Sequence, residues 1–251
     1  MVAQSLGALA HIPEVTIGGI GVQAFGSPRE LAETIVHRMG AVLPGNAIAI
    51  NPEKVMRARR DEGLRTLLNS ATIRFADGAG VVWAMRRKGL IGNRVTGVDV
   101  WEQLVTVAAK NRVPVFLLGA KPEILEQTVA RLEREVPGIC VAMAKHGYIS
   151  DGDVAAFAAS LARAGPAVVS VAMGSPKQER IIERLQTAAP QAFFIGVGGT
   201  FDCYVGAVPR APLVWRKANL EWLYRLISQP SRIRRQWVLL PYVALTLAGR
   251  I

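Results

Sequence analysis

The sequence predicts an α/β fold, a mostly parallel, doubly wound sheet with helices on both faces, followed by a small helical C-terminal appendage. Three observations carry this. Short apolar runs ending in Gly, Asn or Asp recur from Ala47 to Val197, and each is followed by a segment with helical start signals and helically spaced apolar residues. No flexible linker and no repeat beyond this alternation interrupts the chain. After Pro209 the alternation stops and a stretch rich in Arg and Trp takes over, so residues 1–209 read as the sheet domain and 210–251 as the appendage.

In chain order, Thr16 to Val22 reads as a glycine-containing strand or hairpin. A helix then follows that Ser27 can cap, with Pro28 at its first position and Leu31, Ile35 and Val36 on one face. Ala47 to Asn51 is a strand, and Pro52 opens a helix through Val55 and Met56. Thr72 to Asp77 repeats the pattern, with a helix from Val81 through Met85. Asp99 caps a helix through Trp101, Leu104 and Val107. Val113 to Leu118 is a buried strand stopping at Gly119, and a helix runs from Ile124 to Val136. Ile139 to Met143 is a strand leading to His146-Gly-Tyr148, with a helix from Asp153 through Leu161. Ala167 to Met173 is the most apolar strand, followed by Gly174-Ser-Pro-Lys-Gln-Glu179 and a helix through Ile181 and Leu185. Phe193 to Val197 is the last strand, and a helix pair, about Leu213 to Ser228 and Ser231 to Ala248, completes the chain around Pro230.

Ligands of such sheets bind at the carboxyl ends of the strands. Asn51, Asp77, Gly119, His146 to Tyr148, Gly174 to Glu179 and Gly196 to Asp202 would then share one rim. Asp77, at a strand end before Gly78, suits a general base and equally suits a cap for the helix beginning at Ala79. Asn51 could orient a hydroxyl through its amide, or cap the helix at Pro52. Lys177 and Gln178 stand at a helix start, where backbone N–H groups can meet a diphosphate, and a lysine there opposes the helix dipole. Gly196-Val-Gly-Gly199 is not a G-x-G-x-x-G dinucleotide fingerprint, and tight packing explains its glycines equally well. Asp202 could hold a sugar hydroxyl or cap a turn. Asp151-Gly-Asp153 reads as a helix start rather than a metal pair, and His11, His37 and His146 are too scattered for a zinc set; His146 alone remains a minor candidate for ligand contact.

With 251 residues, 51% of them hydrophobic, the chain can bury a full core. A net charge of +11 calls for an acidic partner, either nucleic acid, anionic lipid or a phosphorylated small molecule. From Arg210 onward there are eight cationic residues and one carboxylate, Glu221, so most of the excess charge lies in the appendage. There Trp215, Trp222, Tyr224, Trp237 and Tyr242 interleave with Arg225, Arg232 and Arg235, as at a lipid interface. The apolar tail Trp237 to Gly249 contains Pro241 and falls short of the roughly 20 residues a spanning helix needs, so it is expected to lie in the interface. Met1 to Ala10 lacks the basic start and sustained apolar stretch of a signal peptide. Cys140 and Cys203 are expected to be buried, reduced thiols, in keeping with a cytoplasmic setting. A non-enzymatic protein that uses the basic tail on nucleic acid or acidic lipid is the rival of another class.

Together the motifs Asn51-Pro-Glu-Lys-Val, Ala76-Asp-Gly78, Arg94-Val-Thr-Gly-Val-Asp99, Leu118-Gly119, His146-Gly-Tyr148, Met173-Gly-Ser-Pro-Lys-Gln-Glu179, Gly196-Val-Gly-Gly-Thr-Phe-Asp202, Arg210-Ala-Pro212 and Leu220-Glu-Trp-Leu-Tyr-Arg225 resemble, in that order, the WecG/TagA/CpsF glycosyltransferases. The likeness spans Thr16 to Arg235. It implies a Rossmann-like fold with a membrane-targeting appendage, acting peripherally at the cytoplasmic face of the inner membrane. The implied reaction is metal-independent, inverting transfer of a sugar from a UDP-sugar to a polyprenyl-diphosphate-linked sugar, with no cofactor and no nucleic-acid partner; a homo-oligomer is compatible with it. Carried over by motif, Asp77 is the base. Asn51, Arg94, Gln178, Arg225, Arg232 and Arg235 contact substrate, and Gly198, Gly199 and Asp202 join them as substrate-binding candidates from their place on the rim. Ala49 stands where many members have threonine, so a hydroxyl contact is missing there. The Ala-Ile-Asn51 form and Val171-Ala-Met-Gly174 resemble the N-acetylmannosaminuronic acid transferase branch, with N-acetylmannosamine and glucose as the other donors within the family.

Overall fold

The computed structural model describes residues 9–37, 40–217, 220–228 and 237–251, with Lys217, Arg225, Leu226 and Ser228 described for their backbone alone. Eight strands form one sheet: β1 (Glu14–Ile17), β2 (Ile20–Gln23), β3 (Gly45–Ile50), β4 (Ile73–Ala76), β5 (Val115–Gly119), β6 (Val141–Lys145), β7 (Val168–Ala172) and β8 (Phe193–Gly196). Their order is β1-β2-β4-β3-β8-β7-β5-β6. Only β1 runs antiparallel to its neighbour, because Gly18 and Gly19 turn β1 directly into β2 with φ of 59° and 85°. All other pairings are parallel and joined through helices.

The helices are α1 (Pro28–Ile35), α2 (Pro52–Ala58), α3 (Glu62–Asn69), α4 (Ala79–Arg87), α5 (Gly97–Lys110), α6 (Pro122–Glu135), α7 (Asp151–Ala164), α8 (Lys177–Ala188), α9 (Thr200–Tyr204), α10 (Leu213–Lys217), α11 (Glu221–Ser228) and α12 (Leu239–Leu247). Strand alternation divides the core. Ala47, Phe75, Leu117, Val168 and Ile195 face one layer, filled by α1, α5, α6 and α9 around Trp101. Ile48, Ile50 and Ala76 face the other side beneath α2, α3, α4 and Tyr242 of α12, and Phe116, Val169 and Phe194 continue that side beneath α7 and α8. Strands buried on both faces explain why β5 reads as an unbroken apolar run and β7 is interrupted only by Ser170, whose buried hydroxyl accepts from Trp101 Nε1 at 3.0 Å.

The α/β class and the helices on both faces are as expected. Several local expectations are corrected. Thr96, not Asp99, is the N-cap of α5: its hydroxyl accepts from Asp99 N at 3.2 Å. Ser150 caps α7 in a reciprocal box with Asp153, so that helix begins two residues earlier than Asp153. β6 starts at Val141 rather than Ile139. Helices α3 and α9 went unforeseen, α3 capped by the Asp61 carboxylate on Leu64 N at 2.9 Å. The expected helix at Leu213 to Ser228 comprises α10 and α11, while residues 229–236, where Pro230, Arg232 and Arg235 fall, lie outside the described residues. Cys140 is exposed beside the edge strand β6 and Cys203 is half-buried, so neither is the buried thiol expected, and no disulfide links them.

Candidate active site

Adjacent strands β3 and β8 send their following helices to opposite faces, with α2 packed in the layer holding Val55 and Met56 and α9 in the layer holding Phe201. A crevice must open where the chain parts this way. It is a cleft of ≈ 470 Å³ that brings Asn51, Asp77, Arg94, Gln178, Gly198, Gly199 and Asp202 together, all expected from sequence, along with Ser175, Thr96 and Lys54. Appendage residues Glu221, Trp222, Val238 and Leu239 complete its wall. Gly119 and His146 to Tyr148 do not reach it. They stand at or just after the ends of β5 and β6, which lie beyond β7, on the far side of it from the opening between β3 and β8. His146 instead lines a separate hollow between α6 and β6.

Asp77 follows β4, its N–H completing the ladder to Ile50 O at 3.0 Å. Its carboxylate does not cap α4, whose N-cap is Gly78 without a side-chain bond. It accepts instead from Gly97 N at 3.1 Å, the first residue of α5. The positive end of a 14-residue helix therefore faces the carboxylate. Asn51 accepts from Lys54 N at 2.9 Å and so caps α2; its amide NH2 is the end left for a ligand.

Arg94 is engaged twice. Its Nε donates to Asp77 O at 3.0 Å, and Nη2 meets the Glu221 carboxylate at 2.5 Å. The only acidic side chain of the appendage thus docks against the strand-end loop that carries Asp77. A second pin lies nearby, where Arg210 bonds Asp99 at 2.5 Å. Burial would push the Asp99 carboxyl up, but the Thr96 hydroxyl and the Arg210 guanidinium outweigh it and hold it below its usual range. Burial pushes neighbouring Glu102 up, and Arg210, 3.9 Å away, offsets that only in part.

Gln178, 4% exposed, is the residue around which the glycine loop is set. Its Oε1 accepts from Gly198 N at 3.0 Å and its Nε2 donates to Glu179 Oε1 at 3.4 Å. A Cβ on Gly196 would lie 2.4 Å from that Nε2, so only glycine lets the amide pass. Glu179 in turn pairs with Lys54 at 2.8 Å, nine-tenths buried on both sides, tying α8 to α2 beneath the cleft. Lys177 is exposed and outside the cleft, which resolves its conflict with the helix dipole by solvation. Ser175 Oγ is buried at the cleft wall with no partner among the described residues, a hydroxyl left for a ligand.

Lys54, Glu179, Ser175 and Glu221 were not singled out as site residues, although all four lie inside the motifs Asn51-Pro-Glu-Lys, Gly-Ser-Pro-Lys-Gln-Glu179 and Leu220-Glu-Trp-Leu-Tyr-Arg225. Asp151 and Asp153 serve the start of α7, bonded to Arg184 at 2.9 Å and Lys145 at 2.8 Å. Among the described residues no group of three or more His, Cys, Asp or Glu is placed to hold a metal ion. The side chain of Arg225, and Arg232 and Arg235 entirely, lie outside the described residues. A sequence model of the glycosyl transferase WecG/TagA/CpsF family matches residues 15–251.

Proposed function

The chain belongs to that family of glycosyl transferases in polysaccharide synthesis, and on that premise we propose that it moves a sugar from a UDP-sugar to a polyprenyl-diphosphate-linked sugar at the cytoplasmic face of the inner membrane. N-acetylmannosaminuronic acid or N-acetylmannosamine is the proposed donor sugar. The observation that carries the reading is the cleft itself, lined together by a carboxylate at a helix N-terminus, a glycine loop with outward space at Gly198 and a serine without a partner among the described residues.

The reaction is a single displacement with inversion. The Asp77 carboxylate takes the acceptor hydroxyl proton, the oxygen bonds to the anomeric carbon, and the bond from that carbon to the diphosphate oxygen breaks with its electron pair leaving on UDP. Gly198, Gly199, Ser175 and Asn51 line the donor side, and Asp202 offers a carboxylate to a sugar or ribose hydroxyl. Charge on departing UDP needs cations aimed at it; Arg225, Arg232 and Arg235 of the appendage are the proposed source. Among the described residues no helix is long and apolar enough to cross a membrane, and the proposed attachment is peripheral, through residues 210–251.

The test is incubation of the full chain with a panel of UDP-sugars and a short-chain polyprenyl-diphosphate sugar, with products weighed by mass spectrometry. A glycosylated lipid and UDP are expected with one donor. No product and no UDP release from any donor would sink the reading.

A further inference from the structure

All the exposed large apolar residues described belong to the appendage except Tyr148 and Ile91, and Ile91 follows α4, the helix whose first turn meets Tyr242 of α12. α12 lies against α2 and α4: Tyr242, 1% exposed, donates to Gly80 O at 3.1 Å, and Arg59 donates to the carbonyl of Arg250 at 2.9 Å. α12 carries no charge, and while Tyr242 and Thr246 face inward, Leu240, Val243 and Leu247 recur at helical spacing on the exposed side.

The end of α4 supplies the matching charge. A Cβ at Gly80 would touch the Tyr242 ring at 3.3 Å, so the stripe Gly80, Trp83, Arg87 turns toward α12. The Arg87 guanidinium stands 5.9 Å over the Trp83 ring. Arg86, Arg87 and Lys88 are exposed, Ile91 projects at 84% exposure, and no Asp or Glu occurs between Gly78 and Val98. Neither Arg86 nor Arg87 has a carboxylate partner among the described residues.

We infer that the end of α4, with Arg86, Arg87 and Ile91, is a lipid-contact surface of the sheet domain that engages an anionic bilayer beside α12. Exposed aliphatic residues next to unpaired cations fit a headgroup layer over acyl chains. A soluble polyanion would use the cations and leave Ile91 in water. The inference rests on the peripheral attachment proposed above and adds a second foothold, which fixes the domain's rotation on the membrane and so the direction in which the cleft opens.

The test is partition of the full chain onto phosphatidylcholine vesicles with and without phosphatidylglycerol. At about 1 kcal/mol per cation near an anionic surface, Arg86→Ala with Arg87→Ala is expected to weaken binding to the anionic vesicles about 30-fold. Ile91→Ser, which removes an inserting side chain, is expected to weaken it about tenfold. Because Arg87 also packs over Trp83, Arg86→Glu alone serves as the second charge variant. All three are expected to melt with the parent chain and to keep transfer to a short-chain acceptor in solution. If the charge variants or Ile91→Ser bind as tightly as the parent, the appendage docks alone and the inference is overturned while the transferase reading stands. If the parent chain itself ignores anionic vesicles, the inference falls together with peripheral attachment, and product formation in solution still reports separately on the chemistry.

Discussion

The ion pair of Lys54 and Glu179 should be the most sensitive point beneath the cleft. Both side chains are nine-tenths buried and 2.8 Å apart, and Glu179 Oε2 has no partner among the described residues. Replacing Glu179 by Leu leaves an ammonium buried at the junction of α2 and α8, and breaking a buried pair in this way costs about 3–5 kcal/mol. Residual exposure of Lys54, about a tenth, places the cost near the lower end. For a chain of this length about 3 kcal/mol lowers the melting temperature by about 6–12 °C. Lys54→Met strands the carboxylate and should cost a similar amount. The double variant removes both charges, and burying two apolar chains of similar volume is neutral or stabilising relative to the pair; it should therefore be more stable than either single variant. Urea denaturation followed by tryptophan fluorescence measures all four proteins. If the double loss equals the sum of the single losses within about 0.5 kcal/mol, the two groups are not coupled and the reasoning about this pair is wrong.

Three further outcomes are expected. Asp77→Asn keeps an oxygen for Gly97 N and so should melt like the parent chain, yet transfer sugar about 10²–10⁴-fold more slowly in a product assay. Tyr242→Phe loses the hydroxyl's bond to Gly80 O, about 0.5–1.5 kcal/mol, whereas Tyr242→Ala opens a cavity between α12 and α4 worth about 3–5 kcal/mol; equal losses by denaturation would show that the ring is not packed there. The Asp99 carboxyl is held below its usual range, so its contribution to stability is present above its unfolded value of about 3.9 and fades as pH falls through the lower folded value. Melting curves from pH 7 to pH 3 should accordingly show parent and Arg210→Ala furthest apart at neutral pH and converging only below about pH 4.

The sheet was legible because its strands are buried on both faces and end in residues that do not continue a strand. Val115 to Gly119 is apolar throughout and Val168 to Ala172 is apolar but for Ser170, and Pro28, Pro52 and Pro122 mark helix starts. Errors concentrate where two residues could do one local job. Thr96 and Asp99 are three apart and both suit a helix start; the structure gives the cap to Thr96 and leaves Asp99 to bond its hydroxyl at 2.6 Å and Arg210. Ser150 and Asp153 repeat that ambiguity. The exposed Cys140 was misplaced because β6 is an edge strand, and an edge cannot be told from a centre by composition when β6 itself reads Val-Ala-Met-Ala.

For the site, strand ends were readable and strand order was not. A rim drawn through every strand end includes His146 and Gly119 on equal terms with Asp77 and Gly198, and only the order β4-β3-β8 makes the latter two neighbours across one opening. Gln178 shows the other limit. A glutamine at a helix start near a glycine loop invites a substrate contact, yet its Oε1 is spent on Gly198 N and its Nε2 lies under Gly196. Its role follows from that geometry: it fixes the loop whose amides a diphosphate would meet, and it is itself fixed by Glu179 and Lys54. A chain of four residues from three separate stretches of sequence then sets one backbone N–H, which explains why the glycine run alone, without G-x-G-x-x-G spacing, could not declare its purpose.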